Sequence, residues 1–285
     1  MHKHLRVDDS MTDQADALAR IAAALERMAP ERAMMPDWHA HPAYLWREGP
    51  PRAVAELTAP GLDLLHGIDE QKAKVLGNVL RHAAGHAAHD MLLWGSRGMG
   101  KSALIRSSVT FAQARHPGSL ALVQVSCDYL HGVPDLFARL GEVDRRFLVF
   151  IDDLGFDDDD HGGPRLLRSW LEGGVEARPA NVRLAVTSNR RVIVARHLSE
   201  QDDPINPRDA VDDRLALSDR FGLSIGFHNC SQDDYLSIIG GYAERFELPW
   251  EERDALEWSK RRGARSGRVA WQYIVELAGR AGKTV

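Results

Sequence analysis

Two kinds of apolar pattern alternate along the chain. Met91 to Trp94, Leu120 to Val125 and Phe147 to Ile151 are short runs with an apolar residue at nearly every position. A strand wet on one face would show a polar residue at every second position, so these runs predict strands buried on both faces of a parallel sheet. Val182 to Ser188 (VRLAVTS) reads as another strand, and Leu215 to Phe227 as a helix end followed by a last one. Around them apolar residues recur at intervals of three and four, the helical period. Such patterns open after Ser102 with Ala103, Leu104 and Ile105, run from Val133 to Leu140, and cover Pro164 to Leu171, with Leu167, Trp170 and Leu171 inward. An earlier helical pattern, Leu64 to His89, holds Val75, Val79 and Leu80 on its apolar face.

From Ser231 onward the pattern is helical throughout. Ser231 reads as a cap with Asp233 and Asp234 in the first turn, and Leu236, Ile239, Tyr242, Ala243 and Phe246 form the stripe. A second helix spans Trp250 to Arg262 with Ala255 and Trp258, and a third starts at Ser266 with Val269, Tyr273, Ile274 and Leu277 inside. Strands alternating with helices predict an α/β fold, a parallel sheet with helices on both faces, followed by a small all-α unit. Ahead of it, Leu18, Ile21, Leu25 and Met28 predict an amphipathic helix over Asp13 to Met28, which packs on the core or meets a partner. Pro30 to Pro60, with Trp38, Tyr44 and Trp46, reads as an extended segment wrapping the surface. The organisation is therefore residues 1–63 as helix and wrapping segment, 64–228 as α/β core, and 229–285 as helical unit.

Composition narrows the class. The 285 residues are 44% hydrophobic and 27% charged, as a soluble chain with ample core should be. A net charge of −5 gives no global basic signature, so nucleic-acid contact would need a local patch. The two cysteines, Cys127 and Cys230, are isolated, which fits a reduced cytoplasm. No run approaches the roughly 18 apolar residues of a membrane span.

The chemistry gathers at strand ends. Gly95 to Ser102 (GSRGMGKS) has the form GxxxxGK[ST] between a predicted strand and a predicted helix, the context in which backbone N–H groups converge on phosphate oxygens. Gly95, Ser96, Arg97, Gly98, Met99, Gly100, Lys101 and Ser102 are the candidate nucleotide contacts; Lys101 would reach the β- and γ-phosphates and Ser102 would ligate Mg²⁺. FLVFIDD ends in two carboxylates where parallel sheets place their ligands. Behind a phosphate cradle, Asp152 would hold Mg²⁺ and Asp153 would orient and activate the attacking water. Asn189 ends the next strand, beside those acids, where it would hold the lytic water or touch the γ-phosphate. Arg220, just before the last strand, is placed to reach a neighbouring subunit's nucleotide. Arg268 sits in a helical first turn, where a cation opposes the macrodipole by about 0.3–1 kcal/mol, as expected of an arginine that faces a phosphate.

Other polar groups read as solvated. His39 and His41 lie in a loop without further ligands, and His82, His86 and His89 share a helical face with no carboxylate to complete a metal site. Asp157 to Asp160 read as a solvated acidic loop, with a divalent-ion site or docking surface as the alternative.

In this order, the P-loop, the Walker B acids, a sensor 1 Asn189, a box VII Arg220 and a helical lid carrying a sensor 2 Arg268 resemble the AAA+ ATPase module over roughly residues 64 to 285. The phrases GIDEQK, LLWGSRGMGKS, FIDDLGF, LEGGVEARPANV, TSNRR and LSDRFG are similar to an uncharacterised bacterial family of single-module AAA+ ATPases known as a domain of unknown function. The resemblance implies MgATP at the junction of core and lid and assembly into a homo-oligomer through Arg220 in trans. It names no partner, protein or nucleic acid. Most AAA+ motors end Walker B in Asp-Glu; Asp152-Asp153 instead resembles replication initiators and helicase loaders, and the shorter carboxylate implies slow turnover. CDYLHGVPD carries no aromatic-apolar-glycine pore loop. Two readings follow: an oligomeric ATP hydrolase that remodels a macromolecule, or a slow ATP-dependent switch, like a helicase loader or transposition helper, that gates DNA or protein binding. The guanine motif NKxD is absent.

Overall fold

A seven-stranded sheet in the order β2-β1-β4-β5-β6-β3-β7 organises the chain. The computed structural model describes residues 20, 35–155, 162–172, 178–189 and 219–285. The sheet and all that follows lie in the unit Asp37–Val285. Its strands are β1 (Ala43–Trp46), β2 (Arg52–Val54), β3 (Met91–Gly95), β4 (Leu120–Val125), β5 (Arg146–Ile151), β6 (Val182–Ser188) and β7 (Leu223–Phe227). All neighbours run parallel except β2, which turns back on β1. The helices are α1 (Asp69–Ala83), α2 (Lys101–Arg115), α3 (Val133–Gly141), α4 (Gly162–Glu172), α5 (Gln232–Arg245), α6 (Glu252–Arg262) and α7 (Gly267–Arg280).

The continuous apolar runs follow from burial on both sides. Alternate residues of one strand enter different cores: Met91, Leu93, Leu148, Phe150 and Ala185 pack with α1, α2 and the C-terminal helices, whereas Leu92, Phe147, Val149, Ile151, Leu184 and Val186 pack with α3 and α4. The period of two therefore survives inside an unbroken apolar run.

The first correction concerns Pro30 to Pro60. Part of this segment is not a wrap but two strands: Ala43 to Trp46 pair in parallel with Leu122 to Val125. Arg145 fastens the chain ahead of them, donating to the carbonyls of Trp38 (2.6 Å), His41 (2.9 Å) and Leu120 (3.1 Å). Proline density hid these strands although Pro42, Pro50 and Pro51 flank them and none lies within them. The amphipathic segment Asp13 to Met28 apart from Arg20, the acidic run Asp157 to Asp160 and the insertion Ser199 to Arg214 lie outside the described residues.

A second correction concerns His82. It is 2% exposed, and its Nε2 lies 3.0 Å from the carbonyl oxygen of Phe147, so the neutral ring donates across the α1–β5 contact. Burial, followed by the charges of Arg183, Arg146 and Arg178, pushes its pKa down to about 4, against a raising effect of the Phe147 carbonyl. The sign follows: between pH 6.5 and 4 the unfolded chain binds the proton that the folded chain refuses, so stability falls as pH drops through this window, by about 3 kcal/mol at its lower end. His82→Gln keeps a donor without the titration, and a melting-temperature profile between pH 7 and 4 is expected to be flatter for the variant than for the wild type. His86 and His89 are exposed, and among the described residues no group of His, Cys, Asp and Glu could hold a metal by itself.

The C-terminal helices form as expected at their ends. The Ser231 hydroxyl accepts from Asp234 N at 3.0 Å, and the Asp234 carboxylate accepts from Ser231 N at 3.1 Å, closing a capping box. The stripe of α5 is turned from the expected one: Tyr235 and Ile238 are buried with Ile239, Tyr242 and Ala243, while Leu236 and Phe246 are only partly covered.

Candidate nucleotide site

Strand order and parity assemble the site. β6 lies between β5 and β3, so its tip stands between the P-loop after β3 and the acids after β5. Continuing each strand's alternation places Gly95, Asp152, Thr187 and Asn189 on the face against α2, in step with Leu93, Phe150 and Ala185.

Hydrogen bonds join these positions. Lys101, 6% exposed, donates from Nζ to the carbonyls of Gly95 and Ser96 (2.8 Å each) and to Asn189 Oδ1 (3.2 Å). Asn189 Nδ2 donates in turn to the Asp153 carboxylate. The Ser102 hydroxyl donates to Asp152 Oδ1 at 2.5 Å, and the same oxygen takes the Thr187 hydroxyl at 2.6 Å. Thr187 Oγ1 also accepts from Asp153 N at 2.8 Å, and its carbonyl accepts from Leu154 N. One threonine thus fixes both acids, with Asp153 in the left-handed region at φ 56°, a conformation aspartate and asparagine tolerate better than most residues.

The loop itself depends on glycine at two close approaches. A Cβ on Gly95 would overlap the carbonyl oxygen of Phe227, which accepts from Ser96 N at 2.9 Å. At Gly98 (φ 74°) a Cβ would lie 2.9 Å from Ser266 Oγ and 3.1 Å from Arg268 Cβ. The latter contact marks where the last helix arrives: Arg268 N donates to the Gly98 carbonyl at 3.1 Å. Arg268 therefore stands over the P-loop, and its charge, with that of Arg97, acts on Lys101. Burial is the largest influence lowering the Lys101 pKa, and Asp153 and Asp152 oppose it.

A cleft of about 570 Å³ opens from this network, a size suited to a small-molecule ligand. Arg97, Lys101, Arg106 and Arg268 line it with Asp152 and Asp153, four cations against two carboxylates. The resulting positive field is opposite in sign to the residual negative charge of a magnesium-bound triphosphate and would attract it. Its far end is apolar, built from Leu64, Leu65, Ile68, Ile238, Tyr242 and Trp271, with the Tyr242 and Trp271 rings 5.1 Å apart. Ser102 and Asp152 offer hard oxygen atoms toward the cleft, a donor set that fits Mg²⁺, which keeps several waters and takes the rest of its ligands from phosphates.

Sequence reasoning placed Gly95 to Ser102, Asp152, Asp153, Asn189 and Arg268 here, and the fold brings them together. It missed Thr187, legible only as the residue two before Asn189 on one strand face. It also missed Arg106 and the apolar end, whose residues come from three separated segments and share no local spacing. Arg220 is not among the residues lining this cleft; it precedes β7, at the opposite end of the strands. Cys127 is exposed and Cys230 buried, both as free thiols. No helix among the described residues is long and apolar enough to cross a membrane.

Comparison with solved structures identifies the architecture. A variant of RuvB from Thermotoga maritima is 20% identical, with a TM-score of 0.53 over 80% of this chain and 68% of that one. The Thermotoga maritima RuvB Holliday junction branch migration motor is 18% identical, with a TM-score of 0.50 over the same shares. The ORC1 protein of Aeropyrum pernix, solved in complex with DNA, is 15% identical, with a TM-score of 0.54 over 77% of this chain and 62% of that one. At these identities the likeness shows the fold alone: an AAA+ α/β core with C-terminal helices in the place of a lid. No curated protein matches the chain. Residues 39–281 match the family described as protein of unknown function DUF815, and the chain belongs to it.

Proposed function

We propose that this protein binds MgATP in the cleft and hydrolyses it as an oligomer, using the cycle to remodel or regulate a macromolecular partner in the cytoplasm. The observation that carries this reading is the continuous bonding from Lys101 through Asn189 to Asp153, beside the Ser102–Asp152 pair. Lys101 has all three donors engaged, so contact with a γ-phosphate requires it to give up at least one acceptor. Releasing Asn189 is the productive choice, because that side chain also holds Asp153. Freed of Lys101, Asn189 can turn toward the phosphate, which would in turn release Asp153 to take a proton from the attacking water. Ser102 and Asp152 would hold Mg²⁺, which supplies charge neutralisation at the β- and γ-phosphates. Arg268 stabilises the same phosphates from the lid, and Arg220 acts on the nucleotide of a neighbouring subunit. The apolar end receives the base. The two free thiols support the cytoplasmic placement.

A second reading is favoured by one feature. The carboxylate at the base position is an aspartate tied to Asn189, which suits a slow switch that gates DNA or protein binding; among the similar folds, ORC1 was solved in complex with DNA. One experiment addresses both readings. Asp153→Asn retains a residue that tolerates positive φ; it is expected to bind ATP as the wild type does and to hydrolyse it at least about 100-fold more slowly. Normal turnover in the variant would remove Asp153 from the reaction. Wild-type turnover that is slow alone and changes when DNA is added would favour the switch.

A further inference from the structure

At the opposite end of the strands from the cleft, three arginines lie close enough to feel one another's charge, and one of them pairs with a carboxylate. Arg178 Nη1 pairs with Asp90 Oδ2 at 2.5 Å, with side chains 16% and 10% exposed. The other Asp90 oxygen is taken by Leu184 N at 2.8 Å, so Asp90 has little left to give a second cation. Among the described residues Arg183 is anchored by backbone carbonyls, with Nε to Ala88 at 2.7 Å and Nη1 to Val182 at 2.6 Å. Arg146 makes no side-chain hydrogen bond or ion pair among the described residues, and its Nη2 lies against Gly85, 3.1 Å from where a Cβ would be. Register makes the convergence unavoidable: Leu148 pairs with Arg183, and Arg146 precedes Leu148 by two, so both arginines share the α1 face of the sheet. The charges feel one another. After burial, Arg178 and Arg146 both lower the Arg183 pKa, opposed by Asp90.

The end of α1 does not account for them. A helix C-terminus offers only about half a negative charge, and the carbonyls of Leu80, Arg81 and His82 already accept from Ala84, His86 and Gly85. His82, neutral as shown above, adds no counter-charge. Glu142 and Asp144 are exposed beside Arg146 in a shared hollow, without an ion pair to it among the described residues. Asp90 is the one carboxylate bonded to these three guanidinium groups among the described residues, so Arg146 and Arg183, on the adjacent strands β5 and β6, keep positive charge that only the half charge of the helix end and the exposed, unbonded Glu142 and Asp144 screen. Arginine forks suit bidentate binding of phosphate oxygens.

We propose that this end of the strands, at Arg146, Arg178 and Arg183, is a binding site for the phosphate backbone of a nucleic-acid strand. It is separate from the nucleotide cleft and does not depend on how that cleft is read. The test is fluorescence anisotropy of a labelled single-stranded oligonucleotide with the full chain, measured against salt, with inorganic phosphate as competitor. Arg146→Ala with Arg183→Ala is expected to weaken binding about tenfold or more at low salt and to reduce the log–log salt slope by about 1 to 2. Arg146→Glu, at a side chain with no hydrogen bond or ion pair among the described residues, is expected to weaken it while fluorescent-nucleotide binding in the cleft is unchanged; that variant decides the matter if the double variant fails to fold. Absence of wild-type binding at low salt, or equal affinity in Arg146→Glu, would overturn the proposal. So would displacement of the oligonucleotide by inorganic phosphate at equal phosphate concentration, which would make this a small-anion site.

Discussion

Lys101→Ala is expected to weaken nucleotide binding at least about 100-fold, because the lysine does more than supply one charged hydrogen bond of about 1.5–3 kcal/mol. Its ammonium feels the charge of both carboxylates and is bonded to Asn189 and through it to Asp153. Without it, Asp152 and Asp153 face the incoming phosphates with less compensation. Burial pushes the Lys101 pKa down even in the free protein, so the charged side chain is held there at a cost to the fold. Its removal is therefore expected to leave the melting temperature of the nucleotide-free protein unchanged or raised. That pairing of results, lost binding with retained stability, separates a ligand-binding lysine from a structural one. Titration with a fluorescent ATP analogue alongside a thermal melt measures both, and unaltered affinity would end the assignment of Gly95 to Ser102 as a phosphate cradle.

The same residues show what a sequence reveals of such a site and what it withholds. GSRGMGKS and FLVFIDD were legible because their chemistry is local: a turn, a strand and the residues at the strand's end. Their meeting was legible only as an expectation, since it depends on β6 standing between β5 and β3. Ala43 to Trp46 was missed because the prolines around it and its aromatic residues signal an irregular path, while the pairing that makes it a strand comes from Leu122 to Val125, far along the chain. His82 was misread for a related reason. Helical spacing groups it with His86 and His89, but α1 ends at Ala83, so the three never share a face; the position that remains inside the helix points at a β5 carbonyl. The apolar end of the cleft is the extreme case. Leu65, Ile238 and Trp271 belong to three elements, and no spacing along the chain could have grouped them.

Arg220→Ala is expected to lower turnover by about 10³-fold or more, the scale of an arginine that meets the phosphates in the transition state, while nucleotide affinity stays near that of the wild type. Position argues that such a residue would act across a subunit boundary. Leu223 pairs with Met91, the first residue of β3, whereas the cradle starts at Gly95. Four residues of strand, at about 3.3 Å each, put more than about 13 Å between the two levels, and Arg220 stands further back by three residues. It does not line the cleft of its own chain. In a ring or filament built by a repeated head-to-tail contact, however, each subunit turns a different face to its neighbour. Mixing tests this directly. Arg220→Ala and Lys101→Ala should each be inactive alone, but in an equal mixture about a quarter of random head-to-tail contacts join an intact cradle to an intact Arg220. Turnover is expected to reappear in that mixture and to grow with total protein concentration. If no ratio of the two variants recovers activity while both still assemble, Arg220 does not serve a neighbour's nucleotide.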